Sequence, residues 1–229
     1  MLERGTIEVL GLLPYSSNYT FLTITRHGDD ELHAVYKPRR GERPLWDFPH
    51  GTLAPREVAA YLVSETAGWG LVPPTVLRDD APLESGSLQL FVRHDPDRHY
   101  FALAEERAGD FGVFAAFDAV INNADRKGGH VIEDAVGRLW AVDHGLSFHV
   151  ESKLRTVIWD YAKEPLGEQR PKVEVLADGL QAGGPLRLAL GELLTPDEVD
   201  ATAARVNDLL VSGVFPEPEG DRPLPWPLV

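Results

Sequence analysis

The polar run NNADRKGGH, at residues 122–130, is the densest group of polar side chains in the sequence. It follows segment 111–121, which is markedly apolar and has the composition of a buried helix. A second segment, VDHG at residues 142–145, follows a strand-like stretch a few residues later. A buried helix that leads into a charged, glycine-containing loop is typical of a catalytic or binding site on a rigid scaffold. The rest of the chain is therefore interpreted around these two segments.

Upstream of this run, the first forty residues alternate between apolar and polar side chains. The alternation predicts antiparallel strands at 6–12, 19–25 and 32–37. A helical pattern over 56–67 follows Pro55, and two more strands are predicted at 75–77 and 87–92. Strands, one helix and further strands make a small α+β unit.

The remainder of the chain has mainly helical periodicity. Helices are predicted at 101–108, 113–121, 173–180, 185–194 and 199–210, with a hairpin formed by 131–133 and 139–142. The last helix follows a capping box that begins at Thr195. We therefore predict an α+β, bilobal architecture with an N-lobe at residues 1–95, a mainly helical C-lobe at 96–214 and an extended proline-rich tail at 215–229.

Composition limits the possible environment and partners. The chain has 229 residues, of which 43% are hydrophobic, enough to bury one large core or two small ones. It lacks an apolar run of about 18 residues and a signal-peptide pattern. The absence of cysteine excludes disulfides and thiolate metal sites, and the net charge of −14 disfavours nucleic acid and anionic membranes. We expect a cytoplasmic monomer with no nucleic-acid or membrane partner.

Lys37 ends the third predicted strand, directly before Pro38. A lysine in this position can direct its ammonium group at the phosphates of a nucleotide if a carboxylate holds it in place. Glu57, near the start of the following helix, is the predicted partner, and Glu65 is the second candidate.

The loop between the first two strands supplies Ser16, Ser17 and Asn18. Small polar residues of this kind can form an anion-binding nest with their backbone N–H groups. The pattern is equally compatible with an ordinary turn, because the loop has no G-x-G-x-x-G sequence.

Two aspartates complete the candidate site. Asp125 lies in the polar run and can accept the proton of an attacking hydroxyl group, while Arg126 or Lys127 can neutralise a phosphoryl group in transfer. Asp143 follows an apolar strand, where a carboxylate is costly unless it binds a metal ion or has another partner. Together with Lys37, these residues indicate binding of a nucleoside triphosphate with metal and transfer of its terminal phosphoryl group.

The pattern Asn-x-Asp-Arg-basic, followed by a short hairpin and Asp-x-Gly, resembles the phosphatidylinositol 3-/4-kinase-like superfamily. Its bacterial members include HipA-like serine/threonine kinases, and the chain also resembles a compact group of uncharacterised actinobacterial proteins. The similarity extends over residues 10–160. It implies a bilobal protein-kinase-like fold with Lys37 on the phosphates of ATP, Asp125 as catalytic aspartate and Asp143 as metal ligand. It also implies a hinge strand at 89–92, in which Gln89, Phe91 and Val92 lie near the adenine.

The chain departs from this pattern at two places. His130 stands where the superfamily has an asparagine metal ligand, which leaves open whether Mn²⁺ or Mg²⁺ is preferred if His130 is a ligand. The glycine-rich loop is replaced by residues 16–18. Both departures are compatible with a slow enzyme.

Several functional interpretations follow. The first is an ATP-dependent phosphotransferase acting on a protein or small-molecule hydroxyl group, and the alternative is a nucleotide-binding pseudokinase that regulates a partner protein. A metallohydrolase built from His130, Asp143, His144 and His149 is a third, although the chain lacks a paired-histidine helix motif. A lipid substrate, bound by Lys153 and Arg155, is disfavoured by the net charge and by the lack of an amphipathic membrane helix.

Overall fold

The computed structural model describes residues 1–14 and 18–229. The predicted nest residues Ser16 and Ser17 therefore lie outside the described residues. The strands of the described chain are β1 (Thr6–Leu12), β2 (Phe21–His27), β3 (Asp30–Pro38), β4 (Thr75–Arg78), β5 (Gly86–Leu90), β6 (Val131–Glu133) and β7 (Leu139–Ala141). The helices of the same residues are α1 (Leu53–Thr66), α2 (Tyr100–Leu103), α3 (Gly112–Ile121), α4 (Arg170–Gly179), α5 (Pro185–Gly191) and α6 (Pro196–Ser212).

The N-terminal strands form an antiparallel sheet in the order β1-β2-β3-β5-β4. Within β3, Tyr36 pairs with Leu88 and is fully buried, and Lys37 pairs with Ser87. Successive side chains of a strand point to opposite faces, so Lys37 leaves the sheet on the face opposite to Tyr36. The sheet thus fixes the direction in which the Lys37 ammonium group extends.

Helix α1 begins three residues earlier than the sequence pattern indicates. The carboxylate of Glu42 accepts hydrogen bonds from the backbone N–H groups of Gly51, Leu53 and Ala54, at 2.5, 3.1 and 3.4 Å. These contacts satisfy donors that the first turn of a helix leaves free, and a negative charge at a helix N-terminus is favourable. The sequence pattern missed this cap because Glu42 lies about ten residues before the helix.

The C-terminal part is mainly helical, as predicted. The box formed by Thr195 and Glu198 caps α6 reciprocally, and α6 ends at Gly213 in the left-handed conformation. The predicted helix over 101–108 is wrong beyond Leu103, because only Tyr100–Leu103 is α-helical. Arg107 instead turns toward Glu133, with a distance of 2.6 Å between Nη1 and Oε1, and this tertiary ion pair overrides local helix propensity.

The main hydrophobic core joins both parts of the chain through α1. Ala59 and Val63 of this helix are fully buried in the same cluster as Phe117 of α3 and Leu176 of α4. A smaller cluster, centred on Tyr36, covers one face of the sheet. The predicted α+β class, with an antiparallel sheet first and helices after it, is confirmed. The lobe boundaries at residues 95 and 214 stay predictions.

Among the residues that the structure describes, no helix has the length and apolar character needed to cross a membrane.

Candidate active site

Lys37 connects two carboxylates from different elements. Its Nζ lies 2.5 Å from Oε1 of Glu57 on α1 and 2.8 Å from Oδ1 of Asp143, which follows β7. Burial alone would lower the pKa of Lys37, but Asp143 and Glu57 together raise it above its ordinary value. The ammonium group is therefore charged at neutral pH and held in a fixed position.

Glu57 is buried and ties the lysine to the loop after β7. Its Oε2 accepts a hydrogen bond of 3.0 Å from the backbone N–H of His144. Burial opposes ionisation of Glu57, but Lys37 and the contact with His144 outweigh it and lower the pKa to about 2. Glu65, the second candidate partner of Lys37, is exposed to solvent. The structure thus pairs Lys37 with Glu57.

Asp143 has a half-exposed side chain and a backbone φ of 62°, in the left-handed region that non-glycine residues seldom adopt. Such conformations cluster at functional sites. Burial of its carboxyl group would raise the pKa of Asp143, yet the Lys37 ammonium holds it well below its usual range. Its second oxygen, Oδ2, lies 3.4 Å from Nε2 of His130.

His130 is largely buried, and burial lowers its pKa to about 4, although Asp143 opposes the shift. The ring is therefore neutral at physiological pH, with one protonated nitrogen. Its Nδ1 lies 3.4 Å from the backbone N–H of Lys127 and can accept from it. In that tautomer, Nε2 carries the proton and points toward Asp143. His130 can thus orient Asp143, and a metal-ligand role requires the other tautomer.

Asp125 lies in the polar loop with its backbone fixed from within the loop. Its N–H donates to Oδ1 of Asn123 at 3.0 Å, and its Oδ2 is 2.7 Å from Nζ of Lys127. Burial raises the pKa of Asp125, while Lys127 opposes the shift. Partial burial makes the carboxylate a better proton acceptor than a fully solvated one.

Arg126 does not take the predicted position. Its side chain is fully buried, and its guanidinium pairs with Asp118 of α3 at 2.9 Å. It also donates to the carbonyl groups of His130 and Val142, at 3.2 and 3.0 Å. A group enclosed in this way cannot contact a phosphoryl group in the cavity, so the prediction that Arg126 neutralises one directly is wrong. Arg126 is a positioning residue that joins α3 to the segments on both sides of the hairpin.

Asp118 and His144 were not assigned a place in this kinase-like site from the sequence. Asp118 is the single charged residue within the apolar segment 111–121, a signal that a buried partner must exist. The His144 ring is fully buried against Phe117 at a centroid distance of 5.3 Å, with Nδ1 3.6 Å from Glu57 Oε2. Within the described residues, neither ring nitrogen has a hydrogen-bond partner. His144 thus packs behind the site.

A cavity of about 680 Å³ lies between the sheet and the polar loop, and Lys37, Asp125 and Asp143 line it. That volume falls in the range of small-molecule and cofactor sites. The predicted site residues that line it are Asn18, Lys37, Glu57, Gln89, Phe91, Val92, Asp125, Lys127, His130 and Asp143. The structure thus brings together, around one opening, all the predicted site residues that it describes except Arg126.

Some of the predicted nest and hinge residues form hydrogen bonds within the protein rather than pointing free groups into the cavity. Oδ1 of Asn18 accepts from the backbone N–H of Arg43 at 2.9 Å. The Gln89 amide donates to Oγ1 of Thr75 at 2.8 Å, and the Phe91 N–H donates to the carbonyl of His33 at 3.0 Å. The side chain of Gln89 thus stabilises the strand pair β4–β5. The apolar part of the cavity wall at Phe91 and Val92 is then the surface on which the adenine ring of a nucleotide could pack.

The donor set suits a hard divalent cation held jointly with phosphate oxygens. Asp143 could supply carboxylate oxygens, and His130 could supply a nitrogen in its second tautomer. The described part of the chain contains no group of three or more metal-binding side chains of the kind that holds an ion unaided. Two members of the alternative metallohydrolase set are placed differently, because His130 lines the cavity whereas His144 is fully buried against Phe117.

Comparison with known proteins agrees with this geometry at the level of the fold. No model of a protein family matches the chain. Protein Rv2133c of Mycobacterium tuberculosis is 44% identical over an alignment 263 positions long, which covers 99% of this chain and 94% of that protein. The Helicobacter pylori proinflammatory kinase CtkA superposes with a TM-score of 0.56 at 9% identity, covering 93% of this chain and 94% of the kinase.

The chain belongs to the same family as protein Rv2133c. Its fold is kinase-like, as the sequence predicts. The narrower resemblance to phosphatidylinositol 3-/4-kinases and HipA-like kinases stays a prediction.

Proposed function

We propose that the chain is an ATP-dependent phosphotransferase of the phosphatidylinositol 3-/4-kinase-like type, acting on the hydroxyl group of a soluble protein or small molecule. The observation that carries the proposal is the Lys37 ammonium group, held by Glu57 and Asp143 at the wall of a cavity that also contains Asp125. A kinase-like fold supports it. Cytoplasmic location, a monomeric state and the lack of nucleic-acid or membrane partners stay predictions.

Each side chain has a defined task in this proposal. Lys37 binds phosphate oxygens, with Glu57 keeping its ammonium group in place. Asp143 would hold the divalent metal ion. His130 would be either a second ligand of that ion or the hydrogen-bond donor that orients the Asp143 carboxylate. Bound ATP and its metal supply the phosphoryl group and the positive charge that stabilises it in transfer. Asp125 accepts the proton of the acceptor hydroxyl group, and Lys127 offsets negative charge beside it.

One observation favours the second candidate, a nucleotide-binding pseudokinase. His130 stands where the superfamily that the chain resembles has asparagine, and the tautomer that accepts from the Lys127 N–H directs a proton rather than a lone pair at Asp143. A site of this kind can bind nucleotide while transferring phosphate slowly. An unsubstituted chain that binds ATP but shows no ATP turnover would identify the protein as a pseudokinase.

The first experiment measures nucleotide binding by thermal unfolding. ATP with Mn²⁺ or Mg²⁺ should raise the melting temperature, since a ligand that binds only the folded chain stabilises it by mass action. Lys37→Ala and Asp143→Ala should lose most of this gain. Lys172→Ala and Asp200→Ala are matched controls, because these residues lie outside the cavity, and they should keep it. No gain for the unsubstituted chain at millimolar ATP with either metal would refute the proposal.

A further inference from the structure

The segment PLPWPLV, at residues 223–229, lies against the polar loop and is called the tail segment below. Its first carbonyl, that of Pro223, accepts from Nε1 of Trp159 at 3.1 Å and from the N–H of Thr156 at 3.2 Å. Near the other end, the carbonyl of Leu228 accepts from the N–H of Gly128 at 2.7 Å. Pro225, between them, is buried. The tail segment is thus held at both ends by donors of the helical part of the chain.

Two residues of the tail segment reach the candidate active site. Pro227 and Val229 line the same cavity as Asp125 and Lys127, whereas Trp226 is 88% exposed. Val229 is itself 57% exposed, so the tail segment borders the opening of the cavity that contains Asp125.

The glycines of the polar loop make room for this contact. A Cβ atom at Gly128 would lie 2.8 Å from the ring of Phe101 and 3.4 Å from the Leu228 carbonyl oxygen. At Gly129, a Cβ atom would lie 3.6 Å from Cγ1 of Val229. Any side chain at the first position would push Phe101 or the tail segment away. The contact at Gly129 has an ordinary van der Waals length, so Gly128 is the position whose lack of a side chain keeps the loop, Phe101 and the tail segment close together.

The chemistry of the tail segment matches a known mode of peptide recognition. Proline has no backbone N–H, and the carbonyls of Pro223 and Leu228 accept from the neighbouring surface. Aromatic-lined surfaces recognise proline-rich segments, and here Trp159 and Phe101 lie beside the tail segment. From Gly213 to Val229 the sequence contains no serine, threonine or tyrosine. The tail segment thus places, at the edge of the cavity that contains Asp125, a peptide without a hydroxyl side chain.

We propose that the surface formed by Phe101, Gly128, Thr156 and Trp159 is the acceptor groove, and that it receives a proline-containing polypeptide. The tail segment occupies this groove in the free protein and competes with the acceptor. This inference rests on the proposed function. In transfer, the acceptor's hydroxyl oxygen bonds to the γ-phosphorus of ATP while the bond from that phosphorus to the β–γ bridging oxygen breaks. ADP leaves, and the hydroxyl proton passes to Asp125.

The first test converts the tail segment into an acceptor. In the full chain, Val229→Ser places a hydroxyl group at a position that lines the cavity, and Trp226→Ser places one at an exposed position as the matched control. After incubation with ATP and Mn²⁺ or Mg²⁺, mass spectrometry should locate one phosphoryl group on the new serine of Val229→Ser and none on that of Trp226→Ser. The labelled fraction should not depend on protein concentration, because the acceptor is in the same chain.

The second test measures occupancy of the groove without ATP. The probe is a fluorescent synthetic peptide of residues 221–229, and its binding is followed by anisotropy. Pro225→Asp puts a charge at a buried position of the tail segment and should release it, so apparent peptide affinity should rise by about tenfold or more as the open fraction grows. Trp226→Asp, the exposed control, should bind the peptide as weakly as the unsubstituted chain does.

The outcomes separate the two proposals. If ATP raises the melting temperature of Val229→Ser but its new serine stays unmodified, the acceptor-groove inference is wrong and nucleotide binding stands. Equal peptide affinity of Pro225→Asp and the unsubstituted chain, with both folded by circular dichroism, also overturns it. Should Pro225→Asp fail to fold, the serine pair still decides. No ATP effect on any variant would instead refute the proposed function.

Discussion

Two groups of charges lie on opposite sides of the loop at residues 122–130. On the inner side, Asp118 and Arg126 are fully buried, and Asp118 also accepts from Asn123 and Thr156, at 3.0 and 3.3 Å. On the cavity side, Asp125 and Lys127 pair with each other and are 23% and 16% exposed. Neighbouring charged residues of the polar run therefore have different roles, and the difference follows from how deeply each side chain is buried rather than from its residue type. The inner pair fixes the loop, while the outer group can exchange its partners for a ligand.

The largest expected effect comes from breaking the inner pair. Arg126→Met should lower the free energy of unfolding by about 3–5 kcal/mol, because it leaves the Asp118 carboxylate buried without a counter-ion. Lys127→Met, which removes the partly exposed partner of Asp125, should cost roughly 1 kcal/mol or less. Urea unfolding of both variants measures the difference.

The double variant Asp118→Leu with Arg126→Met provides the control, since it removes both charges. It should recover much of the stability that Arg126→Met loses. Equal losses in Arg126→Met and Lys127→Met would show that the two sides of the loop do not differ as described.

The next effect concerns the outer side and should leave stability unchanged. Asp125→Asn keeps the shape of the side chain but cannot accept a proton. Phosphoryl transfer or ATP turnover should slow by about 10²-fold or more, the scale of general-base effects, while the ATP-induced rise in melting temperature persists. Equal turnover in the variant and the unsubstituted chain would assign Asp125 no chemical role and favour the pseudokinase.

A third prediction uses pH to probe Glu57, which joins Lys37 to the segment after β7. Its pKa is about 2 in the folded chain against an ordinary value of 4.5, so its ionised form stabilises the fold above pH 4.5. That contribution is lost as the pH falls from 4.5 toward 2. Glu57→Gln should therefore melt below the unsubstituted chain at pH 6, and the two curves should converge toward pH 2. Curves that stay parallel across this window would contradict the assignment.

The smallest expected effect is a change in metal preference at His130. His130→Asn replaces a nitrogen donor by an amide oxygen, which suits Mg²⁺ better. If His130 is a ligand, the ratio of nucleotide affinity with Mn²⁺ to that with Mg²⁺ should fall several-fold. An unchanged ratio, with weaker binding in both metals, would identify His130 as the donor that orients Asp143.

The sequence correctly predicted those elements whose pattern or cap involves residues close together in the chain. Strict alternation predicted β1 to β3, and Lys37 at the end of β3 with Glu57 near the start of the next helix was expected to form a pair, as the structure has it. The capping box at Thr195 was equally visible, because both partners lie within one turn. Periodicity and caps act over a few residues, so a sequence displays them directly.

The remaining features depend on contacts between residues far apart in the chain. Arg126 looks like its neighbour Lys127 in the sequence, and only the packing of α3 beneath the loop buries it. Glu42 caps a helix that starts about ten residues later, and the carbonyl of Leu228 meets the N–H of Gly128. Contacts between residues so far apart in the chain leave no periodic pattern in the sequence. For this reason the sequence indicated the wrong role for Arg126 and placed the start of α1 three residues too late.

The cap of α1 by Glu42 offers a built-in reporter. Glu42 borders the cavity, and the amide protons of Gly51, Leu53 and Ala54 exchange with solvent only when their hydrogen bonds to its carboxylate open. Deuterium uptake at these amides should therefore respond to whatever enters the cavity. Because the readout needs neither a labelled ligand nor a known acceptor, fractions of a cell extract can be screened for small molecules and peptides that the protein binds.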